Sequence, residues 1–273
     1  MGEWSRYGKR QKQENTNKQY IVDAFTDQLF CGNQAAVCVV DEWPTDRLMQ
    51  DIAKENRFSE TAFVVREQQG WHLRWFTPGG EIDFCGHATL GTAFVLFRFY
   101  CPDAASIAFD TQVGRCSVER QGDLYVMDFP SYACTAVPVT DAMEAAIGVR
   151  PKEAYLDRDL MLVLPSEKDV RELHPDQGRL KELDGLLVAV TARGEKYDCV
   201  SRVFAPKLAI DEDPVTGSTH CMIAPYWCAR LGKTELSCYQ ASERGGELRA
   251  ALADGRMKIA GKAVLFAEAE LSV

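Results

Sequence analysis

Arg74-Trp75-Phe76-Thr77-Pro78-Gly79-Gly80-Glu81-Ile82-Asp83 and Arg202-Val203-Phe204-Ala205-Pro206-Lys207-Leu208-Ala209-Ile210-Asp211 repeat each other 128 positions apart. Arg, Phe, Pro, Ile and Asp recur at the same spacing. Each copy runs into a helix start: Phe84-Cys85-Gly86-His87-Ala88-Thr89 in the first, Glu212-Asp213-Pro214-Val215-Thr216-Gly217-Ser218 in the second. A repeat this long exceeds a solenoid unit and suits a domain. The simplest reading is two similar half-chains facing one cleft. A helix start on each side would offer an anion free N–H groups and the positive dipole end.

Outward from the repeat, short β-rich runs at 20–25, 35–40, 61–65 and 72–76 read as strands, as do 107–109, 115–120, 124–129, 160–164 and 186–191. Residues 46–56 have helical spacing, with Thr45 as N-cap and Leu48, Ile52 and Ala53 on the apolar face. Stretches 167–173 and 177–183 are polar helices or loops. Segments 88–100 and 217–231 are apolar nearly all round, which marks buried helices, the second carrying Pro225. Two central helices in two sets of strands make an α+β fold of two pseudo-symmetric domains. The expected division is a leader at 1–18, an N-terminal domain at 19–130 and a C-terminal domain at 131–263, with the chain crossing near Pro130-Ser131.

The chain has 273 residues, 46% of them apolar, and a net charge of -9. That charge argues against nucleic acid as a partner, since phosphate binding needs clustered Lys and Arg. The one basic cluster, Lys9, Arg10 and Lys12, lies in the polar leader. No window approaches the ~18 apolar residues of a membrane span, and the leader lacks a signal-peptide core. The ten cysteines include no C-x-x-C pair, and several sit in apolar runs as buried hydrophobes do. Reduced thiols, no metal site and a cytoplasmic location are the expectations.

Four places carry candidate chemistry. Glu60 stands at a strand start among apolar neighbours, in Ser59-Glu60-Thr61-Ala62-Phe63. Burial there would disfavour its charge and bring it towards proton transfer near neutral pH; the bland alternative is a solvated Glu. Gly86 lets backbone approach a ligand, and His87 opens a buried helix. Asp213 could accept from a substrate, while Gly217, Ser218 and Thr219 present amides and hydroxyls; Asp213 or Thr216 as a plain N-cap explains the segment equally well. His220 suits packing, and Gly32-Asn33 suits either a turn or a pocket wall.

Ile21-Val22-Asp23-Ala24-Phe25 with Gly32-Asn33, Ser59-Glu60-Thr61, Phe76-Thr77-Pro78, Glu81-Ile82-Asp83, Cys85-Gly86-His87-Ala88-Thr89 and Glu212-Asp213-Pro214-Val215-Thr216-Gly217-Ser218 together resemble the phenazine-biosynthesis, PhzF-like, isomerase family, from about Tyr20 to the C-terminus. The resemblance implies a diaminopimelate-epimerase-like fold, each half a strand barrel round a central helix, with residues 264–273 rejoining the first half. It also implies a homodimer, no cofactor and a proton moved within a small carboxylate-bearing metabolite. The family's catalytic carboxylate falls on Glu60, its histidine on His87, its aspartate on Asp213 and its serine on Ser218. Asn33, Gly86 and Gly217 match pocket positions, and Ser59 and Thr219 join them as substrate contacts.

Two departures stand out. Gln34 replaces the usual proline after Gly-Asn. Related epimerases face two cysteines across the cleft; Cys85 lies near the first place, and Asp213 or Pro214 is expected at the second. A cofactor-free isomerase using Glu60 is therefore the leading expectation. The alternatives are a cysteine-dependent racemase or epimerase and a non-catalytic ligand-binding or interaction protein.

Overall fold

A computed structural model describes residues 18–67 and 70–273. The basic cluster of the leader lies outside the described residues. Lys18, assigned to the leader by sequence, instead opens the first strand, where its Cα pairs with Glu270 and its Nζ meets Glu268 Oε1 at 2.8 Å.

The first half runs β1 (Lys18–Ala24), β2 (Asn33–Val40), α1 (Asp46–Asn56), β3 (Glu60–Glu67), β4 (Gly70–Thr77), β5 (Gly80–Ile82), α2 (Gly86–Val95), β6 (Ser106–Thr111), β7 (Gly114–Gln121) and β8 (Leu124–Pro130). The second runs β9 (Thr135–Val137), α3 (Asp141–Ile147), β10 (Glu153–Leu156), β11 (Leu160–Val163), α4 (Glu167–Arg171), α5 (Gln177–Glu182), β12 (Val188–Arg193), β13 (Cys199–Ala205), β14 (Ile210–Asp213), α6 (His220–Leu231), β15 (Glu235–Gln240), β16 (Gly246–Ala253) and β17 (Arg256–Gly261). A last strand, β18 (Ala263–Glu270), pairs antiparallel with β1.

The halves share one pairing scheme. β2 lies parallel to β3, and β11 to β12. β3–β4–β5 is matched by β12–β13–β14, all antiparallel. A parallel contact then joins β4 to β6 and β13 to β15. β8 and β17 pair antiparallel and join the halves. β18 on β1 has its counterpart in β9 on β10: β18 follows β17 of the second half and flanks the first strand of the first, and β9 follows β8 of the first half and flanks β10 of the second.

Local chemistry sets the elements. The Thr45 hydroxyl accepts from Leu48 N at 3.3 Å, and Arg57 at φ 54 closes α1. Met49, Ile52 and Ala53 are its buried residues, and half-buried Leu48 packs against the same core. Thr140, Ser166 and Asp176 cap α3, α4 and α5 by the same bond. Every residue of α2 from His87 to Val95 is buried, and the helix widens into a π-turn at Leu96–Tyr100.

The second central helix starts later than the sequence suggests. Gly217, Ser218 and Thr219 form a turn, and α6 begins at His220. Cys221 N–H reaches Ser218 O and Met222 N–H reaches Thr219 O, both at 3.0 Å, a tighter lead-in than α-helix. Pro225 sits inside α6 and has no N–H for the Cys221 carbonyl, which accepts from Tyr132 N at 3.2 Å instead. Both central helices contribute to one hydrophobic core. Smaller cores lie between α3–α5 and the second half's strands, and beneath α1.

Candidate active site

Glu60 opens β3 and His87 lies in the first turn of α2. Their elements bring Glu60 Oε2 to 3.0 Å from His87 Nε2, with only 9% and 5% of the two residues exposed. The two atoms face each other as a charge pair, and neither has another partner. A charge pair this deeply buried with no further hydrogen bonds on its facing atoms is costly, and a site built to receive a ligand is where one belongs.

Asn33, at the start of β2, links this pair to the other half. Its Nδ2 lies 3.1 Å from His87 Nδ1, 2.8 Å from Asp213 Oδ1 and 2.9 Å from the Val215 carbonyl. Ser59 Oγ donates to Asn33 Oδ1 at 3.4 Å. Asp213 ends β14 and accepts from the Thr216 hydroxyl. Gln240 fixes this loop: its Oε1 accepts from Thr216 N at 2.9 Å, and its Nε2 donates to the Asp213 carbonyl at 2.7 Å. Gln240 is fully buried and carries no motif in the sequence. Cys85 Sγ lies 3.5 Å from His87 Nδ1.

Burial works against the Glu60 charge, yet the His87 contact outweighs it and holds the carboxyl below its ordinary value. Burial likewise opposes charge on His87, but Cys85 and Glu60 reverse this and raise the imidazole well above its ordinary value. The two therefore favour an ion pair. Burial raises the Cys85 thiol, and the Glu60 charge adds to the shift. The carboxyl moved towards neutrality is Asp213, pushed up to about 6 chiefly by burial, against His87, Thr216 and Asn33. Sequence reasoning expected Glu60 to rise. Its direction is reversed because a histidine 27 residues further on, on the central helix, meets it at contact distance.

Glu60, His87, Asp213, Asn33 and Ser59 thus form one connected cluster. Gly86 opens α2, with the Phe129 ring 3.7 Å from where a Cβ would stand. Gly217 lies in the turn before α6 beside the Phe25 ring. Ser218 is half-buried, and its hydroxyl has no hydrogen bond among the described residues. Thr219 does not join: its hydroxyl donates to buried Asp159 at 2.8 Å, away from the cluster. His220 is a packing residue, bonded to the Thr216 carbonyl at 2.8 Å and to Ser201 at 3.3 Å.

The repeat also aligns differently in space. Arg74 holds Glu81 bidentately, both bonds 2.7 Å, and Arg202 holds Glu212 the same way at 2.8 Å. Trp75 pairs with Ile82 and Val203 with Asp213. The second hairpin is three residues longer, because Pro206–Leu208 forms a 3-10 turn and the β13–β14 register slips. The strand register matches Ile82 with Asp213; beyond them the lead-ins differ, α2 beginning at Gly86 and α6 only at His220. A depression of about 640 Å³ lies elsewhere, lined by Phe25, Tyr197, Tyr239, Arg244 and Lys262 among others. None of Glu60, His87 and Asp213 borders it.

The family profile for phenazine biosynthesis-like proteins (PhzC-PhzF) matches residues 22–269. A Pseudomonas aeruginosa protein named as an uncharacterized isomerase is 46% identical over 247 residues, spanning 90% of this chain and 95% of its own. A crystal structure from Enterococcus faecalis, described as a phenazine biosynthesis protein of the PhzF family, superposes with a TM-score of 0.93 at 48% identity, covering 94% of this chain and 100% of that one. A probable proline racemase from Agrobacterium radiobacter, 10% identical, shares the fold at a TM-score of 0.64, covering 94% of this chain and 93% of its own. The fold is α+β and diaminopimelate-epimerase-like. With the profile covering nearly the whole chain and close relatives of matching length, this protein belongs to the phenazine biosynthesis-like, PhzC-PhzF, family.

Proposed function

We propose that the protein is a cofactor-independent isomerase that moves a proton within a small carboxylate-bearing metabolite, with Glu60 as the acid/base group. The observation carrying this reading is the buried contact between Glu60 and His87 at 3.0 Å, with both facing atoms otherwise unpaired. Ionised Glu60 takes the proton from a C–H bond made acidic by an adjacent unsaturated or carbonyl group. The resulting carboxylic acid gives that proton back to a different carbon of the same molecule, so nothing is consumed. The His87 N–H stabilises negative charge developing on a substrate oxygen. Asp213, near 6, takes up or releases a proton within the working range.

The substrate carboxylate has two sets of donors. The Gly86 and His87 amides at the α2 start, and the Gly217, Ser218 and Thr219 amides before α6, make no hydrogen bond among the described residues. They are backbone donors that need no side-chain ordering to grip an anion. A homodimer in the cytoplasm belongs to the same proposal. All ten cysteines are unpaired, and no described helix is long and apolar enough to cross a membrane. Light scattering should return twice the chain mass.

The test is Glu60→Gln, assayed by deuterium uptake from D2O into cyclic and β,γ-unsaturated carboxylic acids, read by proton NMR. Loss of one poised acid/base group should slow exchange by about 10²–10⁴. Exchange at the wild-type rate in a folded variant would overturn the proposal. Cys85 touches the same pair and so supports a second reading, a thiol-dependent racemase. No cysteine stands in the 210–219 lead-in to α6, which leaves that reading with one thiol where two are needed. Alkylation of Cys85 that abolishes activity, and that substrate prevents, would favour it.

A further inference from the structure

Residues 240–246, which carry β15 into β16 in the second half, grip the first half beside Asn33. Arg244 Nε donates to the Gly32 carbonyl at 2.8 Å, and its Nη2 donates to the Cys31 carbonyl at 2.9 Å and to Asp23 Oδ1 at 2.7 Å. The Asp23 side chain is 2% exposed, and its other oxygen accepts from Phe30 N at 3.0 Å. The Gly245 carbonyl accepts from Gly32 N at 2.7 Å. Gly32 sits at φ 69, where a Cβ would stand 2.2 Å from the Ala24 carbonyl, so glycine alone can turn both its N–H and its carbonyl to this segment. The next residue is Asn33.

The same segment holds the other side of the cluster. Ser242 Oγ donates to the Pro214 carbonyl at 2.8 Å and accepts from Gly245 N at 3.1 Å. Gln240 Nε2 donates to the Asp213 carbonyl at 2.7 Å. One stretch of backbone therefore ties Gly32 of the first half to the 213–216 loop of the second, and Asn33 Nδ2 meets Asp213 Oδ1 at 2.8 Å across that junction. We propose that Arg244 is a positioning residue: its guanidinium fork, closed on Asp23 and on the Cys31 and Gly32 carbonyls, sets the placement of Asn33 against Asp213. A planar fork serves a carboxylate and neighbouring carbonyls at once, which the point charge of a lysine does less well. The Asp23–Arg244 pair joins residues 221 positions apart and is largely shut off from water, so salt screens it little.

This placement stands without the isomerase reading; its effect on rate rests on that reading. The protein readout is the Asp213 carboxyl carbon, followed by 13C NMR of the aspartate-labelled full chain from pH 4 to 8 and assigned with Asp213→Asn. Burial and Glu60 oppose its ionised form, while His87, Thr216 and Asn33 favour it, for a midpoint of about 6. Arg244→Met keeps the stem and drops the fork. Asn33 then loosens from Asp213, and the midpoint should rise by about one unit. In an Asn33→Ala background the same substitution should add less than about 0.3 units, because Arg244 acts through Asn33. Arg249→Met, which removes an exposed cation of β16, should leave the midpoint at its wild-type value. If Arg244→Met lacks native circular dichroism, Arg244→Lys carries the comparison, with a smaller rise in the same direction. No rise in the folded variant, or a rise that persists in full without Asn33, would overturn the proposal. An equal rise in Arg249→Met would assign the effect to lost charge and overturn it too. In the D2O assay kcat should fall by up to about 100-fold with KM nearly unchanged, since the Gly86 and His87 amides lie wholly in the first half. A midpoint shift with no exchange in any form of the protein would fault the isomerase reading alone; exchange with no midpoint shift would fault the positioning role alone.

Discussion

Asp213 and His220 lie seven residues apart on the same loop-to-helix segment, and burial drives them in opposite senses. Asp213 goes from 3.8 to about 6, so the folded state binds its proton more tightly than the unfolded chain. Its effect on stability therefore worsens as pH rises from about 4 to about 6, and stays constant above. His220 goes from 6.5 to about 4, so the unfolded chain binds the proton more tightly. Stability from this group is present above pH 6.5 and is lost as pH falls towards 4. Each effect is worth up to about 3 kcal/mol at about 1.4 kcal/mol per unit. Asp213→Asn should raise Tm near pH 7 relative to wild type, and His220→Asn should flatten the fall of Tm between pH 6.5 and 4. Thermal melts across pH 4–8 check both; parallel Tm-against-pH curves for all three proteins would contradict the assignment.

The same residues show what was legible in the sequence. Glu60, His87 and Asp213 stand in recognisable local motifs, and those motifs do converge. The direction of the Glu60 shift was not legible, because it comes from a contact between a strand and a helix. Gln240 and Asp159 were invisible for a related reason. Gln240 holds Thr216 from 24 residues away, and Asp159 draws off the Thr219 hydroxyl from 60 residues away. Neither tie leaves a spacing that a sequence can display.

At the scale of elements, helices with their own caps were readable. α1 carries both a 3.6-residue apolar pattern and a hydroxyl at its N-terminus, so Asp46–Asn56 could be bounded from sequence alone. α6 could not, since its lead-in depends on the Asp159 bond. The hairpin repeat was readable as a repeat but misregistered by three residues, because matching Ile and Asp letters outnumber the paired Arg–Glu bridges that fix the true alignment. Pro225 has a readable conflict with its helix and an unreadable remedy, the Tyr132 amide from the segment that crosses between halves. Pro225→Ala supplies an N–H that competes for the Cys221 carbonyl. Hydrogen exchange at the Tyr132 amide should then quicken by roughly fivefold, the equivalent of about 1 kcal/mol for one hydrogen bond, while the α2 amides keep their protection. Unchanged exchange at Tyr132 would mean the crossing segment is held by other contacts.

The whole molecule is organised by the exchange of completing strands. β1 lies between β2 and β18, and the β1–β18 register runs from Lys18↔Glu270 to Ala24↔Ala263. Deleting 263–273 would strip one flank of β1 and expose the strand that covers α2. Backbone bonds at about 1 kcal/mol each, with the side-chain packing lost beside them, add up to much of a net stability of about 5–15 kcal/mol. The truncated chain is expected to unfold at least 10 °C lower or to aggregate, read by calorimetry and size-exclusion chromatography. Melting within 2 °C of the full chain would show that the flank is dispensable.

Lys18 and Glu268, which meet at 2.8 Å, are 250 residues apart in the chain. A ribosome adding about 5–20 residues per second needs roughly 10–50 s to travel that distance. For that time the emerging N-terminal portion has its partner still untranslated, with an open backbone edge beside a nearly all-apolar helix. Stalled nascent chains should therefore stay sensitive to protease, and attract holding chaperones, until residues 263–270 have cleared the exit tunnel.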